Sequence, residues 1–186
     1  GNEVGLLLAE CLMTHGRQRT KPMLATTIVS STMLRKIASA HDAAYAETLT
    51  GFKWISNEAM RLEREASDLR FGFGYEEALG YTVGTVVRDK DGIGAALVMA
   101  ELAADLLGRG QTLLDRLEEI WRRHGLFVNR SRSVTLPGRE GANQIVEAME
   151  RIRTAGLATL SQADSLWDLQ QGERVARDGQ RTPAER

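Results

Sequence analysis

The residues able to do chemistry stand in four short groups: Ser30-Ser31, Thr50-Gly51 with Lys53, the paired carboxylates Glu76-Glu77, and Asp89-Lys90-Asp91. Together they supply hydroxyls, a glycine with accessible backbone amides, carboxylates and lysines. That set suits a polyhydroxylated, anionic ligand. Carboxylates accept hydrogen bonds from vicinal hydroxyls, while lysines and helix N-termini offset a phosphate. Each group alone also has a plainer reading: Glu76-Glu77 as a solvated turn, and Asp89-Lys90-Asp91 as a helix cap.

Whether the groups meet depends on the elements that carry them. Leu6, Leu7, Ala9, Glu10 and Met13 mark an amphipathic first helix, capped by Asn2 and stopped at His15-Gly16. MLATTIV, residues 23–29, has the β-branched character of a strand covered on both faces. Ser30 or Ser31 then caps a helix with Met33, Leu34, Ile37 and Ala38 on one side. A second strand is expected over 43–49, a third helix over 52–66 and a third strand over 69–75. Two more helices follow over 93–107 and 112–124. Alternating strands and helices with short joins argue an α/β fold, a layered sheet flanked by helices. In such a sheet ligands sit outside the carboxyl ends of the strands. Ser30, Thr50 and Glu76 each follow or end a strand, so the groups should gather on one rim.

The last third changes character. Residues 126–136 alternate as an exposed strand, Pro137-Gly138 turns, and a helix is expected over 140–154. The segment 170–186 is polar and short of apolar anchors, and is expected to stay mobile. This divides the chain into an α/β domain over 1–124, with 1–20 open to assignment to a preceding junction, the start of an incomplete domain over 125–169, and a tail.

Composition narrows the function classes. A hydrophobic fraction of 42% and a charged fraction of 26% are ordinary for a globular protein. No window approaches the roughly 18 unbroken apolar residues of a membrane span. A net charge of -1 provides no basic field for a nucleic acid. Neither membrane nor nucleic acid is expected as a partner. The one cysteine, Cys11, sits in the apolar helical pattern, excludes an internal disulfide and suits a reducing, cytoplasmic setting. His15, His41 and His124 stand at helix C-termini at no metal-ligand spacing, so no metal site is expected in the chain. Gly72 and Gly74 imitate a dinucleotide fingerprint, but glutamates follow where a helix N-terminus would have to receive a pyrophosphate. Met and Trp positions read as core.

The ordered combination of YEEALG with TGFK upstream and KDG downstream resembles the third domain of the α-D-phosphohexomutase superfamily, over about residues 1 to 170. The branch it is most similar to is the phosphomannomutase and phosphopentomutase type, whose sugar-binding loop reads Glu-Glu-Ala where phosphoglucomutases have Glu-Glu-Ser. The resemblance implies a fragment of an isomerase that moves a phosphoryl group between the C1 hydroxyl and the C6 or C5 hydroxyl through a phosphoserine. It implies that Glu76 accepts from two sugar hydroxyls, that Thr50 and Gly51 form a second sugar-contacting loop, and that Lys90 is the lysine of the KDG element. Ser30, Lys53 and Glu77 would support them, Glu77 ordering the turn through backbone amides or a cation. Ala78 offers only a methyl where relatives carry the serine, which leaves the choice of sugar open. The phosphoserine, the magnesium site and a sugar bisphosphate activator would belong with other domains of the polypeptide. No catalytic residue is expected in this chain, and the piece alone would be inactive. The competing reading is a stand-alone, non-catalytic sugar-phosphate-binding or interaction domain.

Overall fold

The computed structural model describes residues 1–16, 20–130, 133–159, 164–169 and 171–183. They form two units, Gly1–Arg130 and Ser131–Arg186. The first contains a four-stranded mixed sheet in the order β2-β1-β3-β4. Strand β1 (Lys21–Thr27) is central and pairs in parallel with β2 (Ala44–Thr48) and β3 (Leu69–Glu76). A short fourth strand, β4 (Gly80–Val83), runs antiparallel to β3. Helices α1 (Asn2–His15), α2 (Met33–Ala40), α3 (Phe52–Glu65), α4 (Gly92–Gly108) and α5 (Leu113–His124) complete the unit.

Side-chain alternation explains how the sheet is covered on both faces. Met23, Ala25, Ala46 and Phe71 pack with Phe52, Ile55 and Ala59 of α3. Leu24, Phe73 and Tyr75 pack on the other face with α1, α2, α4 and α5. Phe71 and Phe73 are two apart, and strict alternation would put them on one face. The register steps from Met23↔Phe71 to Leu24↔Phe73, leaving Gly72 as the extra residue of a bulge. The bulge turns the remainder of β3, including Glu76, through one side-chain position.

Helix α1 is pinned by an inward-facing charge. Glu10 is fully buried. Its Oε1 accepts from Arg123 Nη1 at 2.6 Å and lies 3.8 Å from Arg116 Nη2. Its Oε2 stands 3.2 Å from His41 Nε2 and 3.6 Å from His124 Nε2. Buried carboxylates need such partners. One carboxylate thus ties α1 to the end of α2 and to α5. His41 and His124, both at helix ends, converge on it. Burial holds the His124 imidazole below the ordinary histidine range, the nearby Glu10 carboxylate opposing that shift only in part.

Several sequence expectations are corrected. Asn2 is the first residue of α1 and not its cap; its Oδ1 accepts from Ser31 N at 2.9 Å and Tyr75 Oη at 3.2 Å. Strand β1 lies two residues earlier than expected: Lys21 and Pro22 find partners in β3, and the strand ends at Thr27, with Ile28 N keeping one bond to Thr48 O at 2.9 Å while the Ile28 and Val29 side chains are exposed. Trp54 and Trp167 are 42% and 49% exposed, so these tryptophans are not core.

The second unit holds α6 (Gly138–Ala155), a short 3-10 turn (Gly156–Thr159) and an antiparallel sheet β5-β6-β7 (Ser165–Asp168, Glu173–Ala176, Arg181–Pro183). The two compact units divide after Arg130. The strand expected over 126–136 is absent among its described residues, 126–130 and 133–136. Alternation sets a face preference, but a strand also needs a neighbour to bond. The polar segment expected to be mobile carries β6 and β7. Turns at Gly172 and Gly179, both at positive φ, fold it into hairpins. Buried Val175 and the Arg181–Glu173 pair at 2.8 Å supply cross-strand contacts that its composition did not advertise.

Candidate functional site

The last residue of β3 is Glu76, side by side with Gly80 of β4. Its Oε1 accepts a hydrogen bond from Gly51 N at 2.5 Å. Gly51 is the N-cap of α3 and takes φ +113°, a conformation that L side chains rarely adopt. The carboxylate therefore lies at a helix N-terminus, where the macrodipole favours negative charge. Its Oε2 is 3.9 Å from Lys90 Nζ, and that ammonium stands 4.7 Å above the centroid of Phe52. Gly80 makes the space: a Cβ there would be 3.2 Å from Glu76 Oε2 and 2.5 Å from Phe52 Cε2. The connecting turn holds Leu79 at φ +64°, in the left-handed region, with its side chain exposed.

Glu77 turns the other way. Its Oε2 accepts from Ser30 Oγ at 2.9 Å and from Thr27 Oγ1 at 3.4 Å, while its backbone N donates to Ser30 Oγ at 3.2 Å. Where backbone amides or a cation were expected, the described partners of the Glu77 carboxylate are hydroxyls at the β1 end. Neither Ser30 nor Ser31 caps α2 as expected: its N-cap is Thr32, without a side-chain cap bond, and Ser31 Oγ accepts from Met33 N at 3.3 Å in a local turn just before the helix. Asn129 Nδ2 reaches back to Ser30 O at 3.3 Å.

The structure thus brings Ser30, Gly51, Glu76, Glu77 and Lys90 to one rim, at the carboxyl ends of β1, β2 and β3, with Thr50 exposed beside Gly51. Lys53 is set aside from the carboxylates: its Nζ lies 5.2 Å from the Trp54 ring centroid. Asp91 is a helix cap, its Oδ1 accepting from Gly94 N at 2.8 Å, while Asp89 stands 3.6 Å from Lys90 Nζ. Gly72 and Gly74 are interior to β3, in no phosphate-binding turn. Sequence reasoning missed Thr27, Phe52 and Gly80. The one signal for the last two was an aromatic directly after Thr50-Gly51 and a glycine four residues after Glu76.

An ionised carboxylate offers about four lone-pair sites, so Glu76 retains acceptor capacity beyond its bond to Gly51. Lys90 is half-exposed between Glu76 and Asp89 and can turn toward an added anion. Two fixed oxygens beside a movable cation match a hydroxylated, negatively charged ligand. Among the described residues no three of His, Cys, Asp and Glu form a group that could hold a metal ion. No helix of the described residues is long and apolar enough to cross a membrane.

A family model described as phosphoglucomutase/phosphomannomutase, alpha/beta/alpha domain III, matches residues 1–124. The chain is 34% identical over 154 residues to a phosphoglucomutase of Staphylococcus epidermidis, a match covering 83% of this chain and 28% of that protein. It is 37% identical over 139 residues to the Homo sapiens phosphopentomutase, covering 70% of this chain and 22% of that one. The open-form crystal structure of the Paramecium phosphoglucomutase pp63/parafusin is similar with a TM-score of 0.58 at 19% identity, covering 98% of this chain and 30% of that one; this likeness speaks for the fold alone. The chain spans 22% to 30% of the length of these relatives. The mixed sheet flanked by helices, its loops gathered at one rim, and the match over 1–124 agree: the chain belongs to the phosphoglucomutase/phosphomannomutase family and carries its alpha/beta/alpha domain III.

Proposed function

We propose that this chain is the sugar-recognition domain of a longer phosphosugar mutase, an isomerase acting on a hexose or pentose phosphate. The observation that carries the reading is the convergence of separate strand-end loops on Glu76, with Gly51 N at 2.5 Å and Lys90 Nζ at 3.9 Å. In this reading Glu76 accepts from two vicinal hydroxyls of the sugar. Thr50 and the Gly51 backbone line the same hydroxyls from the β2 end, and Lys90 offsets the phosphate. Ser30 and Glu77 hold the β1 and β3 ends in register, and Lys53 stands at the margin as a further cation.

A mutase that passes a phosphoryl group through a phosphoserine must present both ends of its sugar to the same serine. A grip on the central hydroxyls serves both orientations. It positions the reacting hydroxyl and leaves the transfer to other domains. The phosphoserine, the magnesium ion and a sugar bisphosphate activator are proposed for those domains, and no part of this chain's role runs through them.

The test compares the 186-residue chain with the longer polypeptide that contains it, using hexose and pentose 1-phosphates with magnesium and a bisphosphate. The longer protein should interconvert at least one of them, and the chain alone none. Turnover by the isolated chain would overturn the division of labour. A longer protein that binds sugar phosphates but converts none would favour a non-catalytic binding domain.

A further inference from the structure

Helix α4 is apolar on two sides, and only one of them is used. Ala95, Leu102 and Leu106 are buried, packing with the α1 and α5 core. On the opposite side Ile93, Leu97, Ala100, Ala104 and Leu107 follow one another at intervals of four, three, four and three residues. All five are exposed, Ile93, Leu97 and Leu107 by 86%, 60% and 78%. A 4-3-4-3 spacing is that of a helix-packing seam, large residues toward the ends and alanines at the middle letting another helix come close. A surface helix of a globular protein ordinarily turns one apolar stripe inward and a polar face outward. The outer stripe of α4 departs from that, and nothing in the rim site uses it.

Two occupants are conceivable in principle, a second copy of the chain or a different domain, and the observations separate them. From Ile93 to Leu107 the seam is about 21 Å long, and a helix face is about 10 Å wide. Such a strip falls short of the roughly 800 Å² per partner of a stable interface between free proteins. It suffices when a tether keeps the partner at high local concentration. Charge points the same way. Within 92–108 the only charged residues are Glu101 and Asp105. Ala100 is the midpoint of the seam, so an antiparallel α4–α4 pairing sets exposed Glu101 against its own copy. Like charges facing each other at the centre oppose self-association. Finally, the chain spans only 22% to 30% of the length of its relatives, which leaves ample polypeptide to supply a partner.

We infer that the outer stripe of α4 is an intramolecular docking seam, which takes an apolar helix from another domain of the same longer polypeptide, with a lysine or arginine on its flank facing Glu101. The inference rests on the reading of the chain as one domain of a longer mutase. Because Asp91, the residue after Lys90, is the N-cap of α4, the seam sets where a neighbouring domain stands relative to the rim.

Hydroxyl-radical footprinting of Ile93, Leu97 and Leu107 tests it in the 186-residue chain and in the longer polypeptide. All three should react freely in the chain and be protected about fivefold or more in the longer protein. Leu97→Glu should restore reactivity at Ile93 and Leu107 in the longer protein. In the 186-residue chain the same substitution should leave the circular dichroism spectrum and melting temperature unchanged, which separates lost docking from lost folding. Equal reactivity in the two proteins overturns the seam. So does a dimer of the 186-residue chain, seen by sedimentation, that Leu97→Glu converts to monomer. Sugar-phosphate turnover is read on the same samples. Turnover with an unprotected seam sinks this inference and leaves the functional reading; protection without turnover does the reverse.

Discussion

The carboxylate of Glu76 accepts the backbone N–H of Gly51 at 2.5 Å across 25 residues of sequence. This one bond fastens the end of β3 to the start of α3. It depends on a backbone at φ +113° that a side chain at position 51 would resist. Gly51→Ala should therefore lower the stability of the chain by about 1–3 kcal/mol, the usual range for a residue forced into a sparsely populated backbone region. Urea unfolding would show a lower midpoint at an unchanged slope. An unchanged midpoint would mean that the loop relaxes freely and does not hold the carboxylate.

Gly80 tests the packing behind the site. A methyl group there would meet the Phe52 ring at 2.5 Å and Glu76 Oε2 at 3.2 Å. Gly80→Ala should displace Phe52, removing the surface on which Lys90 rests, and raise KM for the sugar phosphate in the longer polypeptide. Overpacking of this kind typically costs about 1–3 kcal/mol. Normal KM and normal stability together would show that the ring is free to move.

Glu77 and Ser30 should behave as a pair. Ser30 Oγ donates to Glu77 Oε2 at 2.9 Å and accepts from Glu77 N at 3.2 Å. Ser30→Ala and Glu77→Gln should each weaken folding, and the double variant should lose less than the sum of the two, a coupling of about 0.5–3 kcal/mol. Additive losses in a double-mutant cycle would show that the contact carries no energy of its own.

The Glu10 cluster sets a pH dependence. His124 has its folded-state pKa lowered by burial, against Glu10, which raises it, with Arg123 and His41 also lowering it. Above the unfolded value of about 6.5 both states are neutral and the contribution is fully present. As pH falls, the unfolded chain takes the proton first, and stability is lost down through the folded pKa. Arg116 and Arg123 face the same carboxylate and add positive charge around it, and His41 Nε2 stands 3.2 Å from it. Chemical denaturation from pH 7.5 to 5 should show stability falling with pH, and His124→Phe should flatten the part due to this imidazole. A profile identical in the variant would remove His124 from the account.

Much of this was legible before the structure. Thr50-Gly51, Glu76 and Lys90 could be placed on one rim because strand ends in a parallel sheet point the same way, and helical spacing located each crossover. Strand β4 was not legible: four residues, GYTV from Gly80 to Val83, carry too little pattern to distinguish a strand from a loop. The orientation of Glu76 also depends on the bulge at Gly72, which only the pairing with β1 reveals. The Glu10 cluster joins residues 113 apart, and a single glutamate among leucines gives no hint of its partners. In the second unit, Val175 and the hairpin glycines order a segment whose composition argued against order, because cross-strand pairing is a property of neighbours and not of composition.

In the proposed reading Glu76 holds the sugar hydroxyls, and the kinetics of Glu76→Gln in the longer polypeptide decide whether it does. The substitution replaces one acceptor oxygen by an amide donor. Hydrogen bonds to a charged group are worth about 1.5–3 kcal/mol each. The expected fall in kcat/KM is about ten- to several-hundred-fold, equal in the forward and reverse directions because one grip serves both orientations of the sugar. Glu77→Gln should cost far less. Near-normal kcat/KM in a folded Glu76→Gln protein, or a loss confined to one direction, would contradict that reading.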